Sequence, residues 1–238
     1  MRFSKLDLTP YNTQMPHKYL LPVVIVISGL LVSGALFYKK VKEPTIVEDS
    51  IEKIVFLDPI TQKDHILGNP NANLLVVVFS DYDCSFCAFY HKNLEKILDE
   101  YGKDGSVALV YRHMPIKDTH PEAVEKSKTA ECVAKIHGEE KFWQLTDAFF
   151  KNAISAKETL KSISIEYETV SSCVSGDDEV GSLIENQYEN AILSGAVGSP
   201  YTIFVENGEA VASINRAVSF SELEIIVSSM LDLLPKSL

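Results

Sequence analysis

The sequence predicts an α/β domain whose elements run βαβ, an all-helical insertion, then ββα, preceded by one N-terminal transmembrane helix. Three features carry this prediction. They are a charge-free apolar run near the N-terminus, two short apolar strands bracketing an amphipathic helix, and a late strand pair joined at Asn207-Gly208 ahead of a last helix.

The apolar run is Leu20–Tyr38, nineteen residues without a charge, closed by Lys39 and Lys40. A helix needs about 20 apolar residues to cross roughly 30 Å of hydrocarbon. The run therefore reads as a single span, with Pro22 in its first turn, where proline is tolerated. A cleaved signal peptide is the rival: Val32-Ser33-Gly34 is a passable small-residue cleavage site, but the apolar stretch exceeds the about 7–15 residues of such leaders. A core helix of a soluble domain would show a polar face, and this run has none. The expected organisation is a tail over 1–19, an anchor over 20–38, a polar linker over 39–50 and a domain over 51–238, with the helical insertion at about 117–195. Arg2, Lys5 and Lys18 before the span balance Lys39, Lys40 and Lys42 after it, so the positive-inside rule leaves the orientation open.

Leu74–Phe79 is a short apolar run rich in β-branched residues, read as a strand buried on both faces. Residues 85–101 follow at helical spacing. Phe86, Phe89, Tyr90, Leu94, Ile97, Leu98 and Tyr101 fall at three- and four-residue steps, and Gly102 is a plausible stop. Val107–Tyr111 is a second strand, so strand, helix and strand form a βαβ unit with parallel strands. Thr119 with Glu122, and Ser155 with Glu158, have capping-box spacing, and Gly138 and Gly195 mark helix ends. The segment of about 117–195 is thus expected to hold three to five helices and no strand. Tyr201–Val205 and Ala210–Ile214 flank Asn207-Gly208, the strongest short hairpin signal. Ser219 with Glu222 opens a final helix whose apolar face is Leu223, Ile226, Val227, Met230 and Leu234. This is the element order of a thioredoxin fold with a helical insertion.

Charge narrows the partners. Residues 1–42 hold six basic residues and one acid, leaving 16 basic and 32 acidic residues beyond them, a net charge of about −16. Such a domain is repelled by phosphate backbones, so no nucleic-acid partner is expected. The sequence has no P-loop, GxGxxG or HExxH pattern. The four cysteines, Cys84, Cys87, Cys132 and Cys173, all follow the apolar run, and an even number in an exported domain suits two pairs. In a reducing cytosol the same residues would bind metal or stay free. This places the domain outside the cytoplasm and the N-terminus inside it, as a single-pass protein of an inner membrane facing the periplasm or an equivalent space.

Cys84-Ser85-Phe86-Cys87 stands between the first strand and the amphipathic helix. Open α/β sheets place their sites just beyond the carboxyl ends of the strands. A helix N-terminus offers free N–H groups and a positive dipole end, which stabilise a thiolate. The first cysteine could then attack a disulfide near neutral pH, and the second, one turn on, could close the ring. A zinc site is the alternative, with Cys84, Cys87 and His91 as ligands. It wants a fourth ligand, and no second CxxC or HxxxH is present, so no metal is expected. A merely structural disulfide inside CxxC would be strained and easily reduced.

Four stretches resemble the DsbA-like thiol–disulfide oxidoreductases: Phe79–Cys87, Tyr111-Arg112-His113-Met114-Pro115, Glu131-Cys132-Val133-Ala134 with Lys141-Phe142-Trp143, and Val197-Gly198-Ser199-Pro200-Tyr201. The resemblance spans about Leu67–Leu234. It implies that Cys84 is the nucleophile, that Cys87 resolves mixed disulfides, and that Pro200 is cis beside them. Ser199 and the Pro200 backbone would hold the substrate strand, with Ser85 and Phe86 supporting the site. No cofactor beyond the redox-active disulfide is implied. Reoxidation would come from a quinone-linked membrane partner of DsbB type. Two departures matter. Val78 occupies the position where many thioredoxin-like proteins carry a buried carboxylate. Asp81 or Asp83 could take its place, although both read more simply as solvated loop residues. The Ser85-Phe86 dipeptide lacks the histidine of the family's strongest oxidants, which implies a milder oxidant.

Cys132 and Cys173 are read as a structural disulfide pinning two helices of the insertion. Closing a loop of about 40 residues contributes roughly 3–4 kcal/mol in the chain-entropy model. Two separate buried free cysteines are the alternative. His113 and His120 read as structural or exposed, and Trp143 with Phe142, Phe149 and Phe150 as core packing. Three functional classes follow. The first is an oxidase of exported cysteine-containing proteins, the second an isomerase or reductase using the same chemistry, and the third a non-enzymatic thiol-based metal module.

Overall fold

The computed structural model describes residues 56–152 and 154–233. The tail, the apolar run 20–38, the linker and the start of the domain at Ile51 lie outside the described residues. Among the described residues no helix is long and apolar enough to cross a membrane.

The first unit contains β1 (His65–Leu67), β2 (Leu74–Ser80), α1 (Ser85–Ile97), a π-helical turn (Leu98–Gly102) and β3 (Val107–His113). The insertion contains α2 (Ala123–His137), α3 (Glu139–Asn152), α4 (Ala156–Ser162), a 3-10 turn (Tyr167–Thr169), α5 (Ser171–Gly176) and α6 (Asp178–Leu193). The chain closes with β4 (Tyr201–Glu206), β5 (Glu209–Ile214) and α7 (Phe220–Leu233). The sheet order is β1-β3-β2-β4-β5. β2 and β3 are parallel, and the other three pairings are antiparallel. The result is the α/β thioredoxin fold with a helical insertion.

Alternation along β2 shows why its sequence is apolar throughout. Leu74, Val76 and Val78 enter one core with Tyr90, Leu94 and Ile97 of α1, Phe142 and Phe149 of α3, and Leu223 and Val227 of α7. Val77 and Phe79 enter the other with Val110, Ala191, Tyr201 and Ile203. A strand has a side-chain period of two, so two buried faces leave no polar position. The insertion supplies both covers: α3 packs on α1, and α6 packs across β2 and β3. At the hairpin, Asn207 and Gly208 have φ of 52° and 83°, the left-handed pair that a two-residue turn requires.

Two local readings need correction. β1 escapes the sequence pattern because it is three residues long and gets its order from pairing with β3. Thr119 and Glu122 do not form a capping box. The Thr119 and His120 N–H groups both bond the Ile116 carbonyl, at 3.1 and 2.9 Å, closing a turn before Pro121. Helix α2 begins only at Ala123, with no side-chain cap. Ser155 and Ser219 do cap, accepting from the N–H groups of Glu158 and Glu222.

Candidate active site

The carboxyl end of β2 turns through Asp81–Asp83 into α1, and Cys84 caps that helix. Its N–H bonds the Asp81 carbonyl at 3.2 Å, and its sulfur accepts from the Cys87 N–H at 3.4 Å. The Cys84 side chain thus takes the role a serine or aspartate plays at other helix starts. Cys84 is 7% exposed and Cys87 1%. Both are free thiols. The hydrogen bond from the Cys87 thiol lowers the Cys84 pKa to about 6, with burial opposing and the Cys87 N–H assisting. Burial pushes the Cys87 thiol far up, and the adjacent Cys84 adds to it. One sulfur is therefore a ready thiolate and its partner holds its proton.

The loop before β4 faces this pair. The Ser199–Pro200 peptide is cis, and the Cys84 thiol donates to the Ser199 carbonyl at 3.6 Å. The loop is braced from behind. Asn215 accepts from the Val197 N–H at 3.0 Å and donates to the Gly195 carbonyl at 3.1 Å, and the Tyr201 hydroxyl donates to the Ser194 carbonyl at 2.6 Å. Phe86 and Phe89 share the helical spacing of the other apolar residues of α1, yet they are 68% and 52% exposed. The buried stripe runs through Cys87, Tyr90, His91, Leu94 and Ile97, which leaves positions 86 and 89 outside it. With Val197, 84% exposed, they are apolar surface on the two segments that carry Cys84 and Ser199.

The acids before Cys84 are not solvated loop residues. Asp81 is fully buried. One of its oxygens accepts from the Asp83 N–H at 2.7 Å, and the other from the Ile116 N–H at 2.7 Å and from His120 Nδ1 at 2.9 Å. Asp83 is bonded to Lys126 of α2, which is itself 2% exposed and 3.5 Å from Glu122. Sequence spacing missed this network because its members come from three segments. The one available signal was two acids crowded against Cys84, an arrangement that needs cations nearby if its thiol is to ionise.

The alternative trio of Cys84, Cys87 and His91 is not gathered among the described residues. His91 Nε2 lies 2.8 Å from Asp147 Oδ1. Among the described residues the converging ligand atoms are those of His91, Glu95 and Asp147, within 4.8 Å of one another.

The insertion has its own polar hub. Glu131 Oε1 meets His113 Nε2 at 2.9 Å and His65 Nε2 at 3.2 Å, and His65 Nδ1 meets Glu139 at 2.8 Å. Burial lowers the His65 pKa, but Glu131 and Glu139 more than reverse it, to about 9. Burial raises Glu131, and its two histidines more than reverse that, to about 2. Next to Glu131, Cys132 of α2 is bonded to Cys173 of α5, with Cα atoms 5.8 Å apart. On the other face, buried Arg112 clasps Asp64 at 2.7 Å, Asn190 at 3.0 Å and the carbonyls of Asp58 and Pro59, tying the segment before β1 to β3 and α6.

A family model described as thioredoxin matches residues 60–224, more than half of the chain, and the chain belongs to that family. Its fold is shared with solved structures of DsbA proteins. The chain is similar to Pseudomonas aeruginosa DsbA2, with TM-score 0.62 and 21% identity over 72% of this chain and 97% of that one. It is also similar to the catalytic domain of Proteus mirabilis ScsC, with TM-score 0.58 and 25% identity over 72% and 91%. Among curated proteins it is 31% identical over 94 residues to the Na(+)/H(+) antiporter NhaA 1 of Mycolicibacterium gilvum, 40% of this chain and 14% of that protein. A second antiporter, NhaA 3 of Salinispora tropica, is 32% identical over 100 residues, 42% and 14%. The chain thus matches only about a seventh of the length of these curated relatives.

Proposed function

We propose that the protein oxidises cysteine pairs in exported proteins, with Cys84 as the exchanging sulfur and Cys87 as the resolving one. The observation that carries this is the asymmetry of the pair, one thiol at about 6 and its neighbour pushed far up. In the oxidised enzyme a substrate thiolate attacks Cys84 Sγ, and the Cys84–Cys87 bond breaks. Cys87 takes up a proton, which its buried site favours. A second substrate thiolate then attacks the substrate sulfur of the mixed disulfide. Cys84 leaves as a thiolate, and a low leaving-group pKa speeds that step. The substrate has lost two electrons and the enzyme now holds a dithiol. A quinone-linked membrane oxidase of DsbB type would accept those electrons and restore the disulfide, with no other cofactor.

A stabilised thiolate favours the reduced enzyme and so makes its disulfide the stronger oxidant. The lowered Cys84 pKa is in the direction an oxidant needs, and the absence of a histidine in Ser85-Phe86 is in keeping with a mild one. The Ser199 carbonyl and the cis Pro200 would align a substrate backbone, and Phe86, Phe89 and Val197 would hold its apolar side chains. The Cys132–Cys173 bond supports an oxidising, extracytoplasmic location. In that location the run Leu20–Tyr38 would anchor the domain to the inner membrane with the N-terminus in the cytoplasm.

The test is oxidative refolding of a reduced multi-cysteine protein with glutathione disulfide as oxidant. The oxidase reading expects the first disulfides to form faster with enzyme present. Acceleration confined to a scrambled substrate in thiol buffer would make the protein an isomerase, and no acceleration of either would overturn thiol exchange as its function.

A further inference from the structure

The two acids in front of the nucleophile raise an electrostatic question. Asp81 and Asp83 lie three residues and one residue before Cys84, and a nearby carboxylate opposes thiolate formation. The first turn of α1, Ser85–Ala88, carries no basic residue, so the cations come from elsewhere. Lys126 is bonded to Asp83 and lies near Glu122. His120, a quarter exposed, is bonded to Asp81.

We propose that His120 is a charge-supplying and positioning residue for Cys84. Its imidazolium, held 2.9 Å from buried Asp81, cancels the carboxylate that fixes the nucleophile's turn, so that the reactivity of the Cys84/Cys87 pair depends on the protonation of His120. Asp81 is needed for shape: it takes the N–H groups of Asp83 and Ile116 and, through its carbonyl, that of Cys84. A bare carboxylate there would oppose the thiolate. Charged His120 removes the penalty without dismantling the turn. The charged groups facing His120 are Asp81, Asp83 and Cys84 of the β2–α1 turn, with Lys126 of α2 already engaged by Asp83 and Glu122. Burial lowers the His120 pKa, but the bond to Asp81 and the charges of Asp81, Cys84 and Asp83 more than reverse it, placing it above the ordinary 6.5. The sign follows. Below that pKa the cation is present and the thiolate is favoured; as pH rises through it, the support is withdrawn.

This inference rests on the oxidoreductase reading, but its test does not. In reduced full-length protein, Cys84 alkylation by iodoacetamide is followed from pH 4.5 to 9.5 in the wild type, His120→Gln and His120→Lys. His120→Gln should slow alkylation roughly three- to tenfold at low pH, the thiolate deficit expected on losing one partly screened cation. The deficit should close at alkaline pH, and His120→Lys should restore the low-pH rate. A wild-type profile in folded His120→Gln, or a slowing of equal size at every pH, would overturn the proposal. A second measurement needs no change at His120: its imidazole titration by NMR in the wild type and in Cys84→Ser. Linkage requires the His120 titration to move to lower pH when the thiolate is removed, and an unmoved titration overturns the coupling. Loss of reversible exchange with glutathione in the wild type would instead sink the oxidoreductase reading, while leaving both of these readouts interpretable.

Discussion

The molecule holds two cysteine pairs that differ in nearly every physical respect. Cys84 and Cys87 are three positions apart at the mouth of a helix, in thiol form, with one sulfur at about 6 and the other pushed far up. Cys132 and Cys173 are separated by 41 positions, bonded, and placed between helices of the insertion. The comparison teaches that environment assigns the role. The first pair has free helix N–H groups, a facing carbonyl and charged neighbours, so its thiolate is stabilised and a disulfide between its sulfurs would be readily reduced. The second has no such activation; its bond shortens the loops open to the unfolded chain and so contributes to stability.

Substitutions should separate the two regions. Cys84→Ser is expected to abolish exchange, and Cys87→Ala to accumulate mixed disulfides on Cys84 visible on non-reducing gels, both with little change in unfolding free energy. Any residual turnover in Cys84→Ser would remove the distinction. Glu131→Ala, beside Cys132, leaves buried His113 without its carboxylate and His65 with Glu139 alone, and should cost about 3–5 kcal/mol in denaturant unfolding. The paired change Cys132→Ala with Cys173→Ala should cost roughly 3–4 kcal/mol while leaving the glutathione equilibrium of Cys84/Cys87 unchanged. A shift in that equilibrium would show that the two pairs are coupled.

The hub also predicts a pH profile. His65, raised to about 9, contributes stability that is full below its ordinary 6.5 and is lost as pH rises through 9. Glu131, lowered to about 2, contributes stability present above the ordinary 4.5 and lost as pH falls through 2. Unfolding free energy should therefore peak between about pH 4.5 and 6.5, and His65→Ala should flatten the alkaline limb. The smallest effect is expected for Phe86→His. A cation in the first turn should shift the glutathione equilibrium toward the dithiol by roughly three- to tenfold; no shift would mean that the site is insensitive to charge at that position.

How much was legible in the sequence follows from the range of each interaction. Strands β2 to β5, α1, the hairpin and the caps at Ser155 and Ser219 are written in local periodicity and turn chemistry, and they appear where the sequence places them. So does CxxC at a helix start, which needs only the neighbouring strand and helix to be interpreted. The pairing of Cys132 with Cys173 could be suggested only by counting and by compartment, because a loop of that length fixes no geometry. Asp81, His120 and Lys126 were unreadable as a set. A buried carboxylate looks like a loop acid until the segment that brings its histidine is placed beside it. The exposure of Phe86 and Phe89 is not legible in the spacing for a related reason. Helical spacing groups apolar residues, but the partner of each face decides which stripe is buried.

The central claim is that Cys84 and Cys87 form a reversible couple poised to oxidise. The most direct test is the reduction potential of the full-length protein, equilibrated with glutathione buffers and read by alkylation of the remaining thiols. The account predicts reversible two-electron exchange with a potential above about −200 mV, toward the about −120 mV of a strong oxidant. A potential below about −200 mV would place the protein among the glutaredoxin- and thioredoxin-like reductants, and the absence of reversible exchange would contradict the account outright.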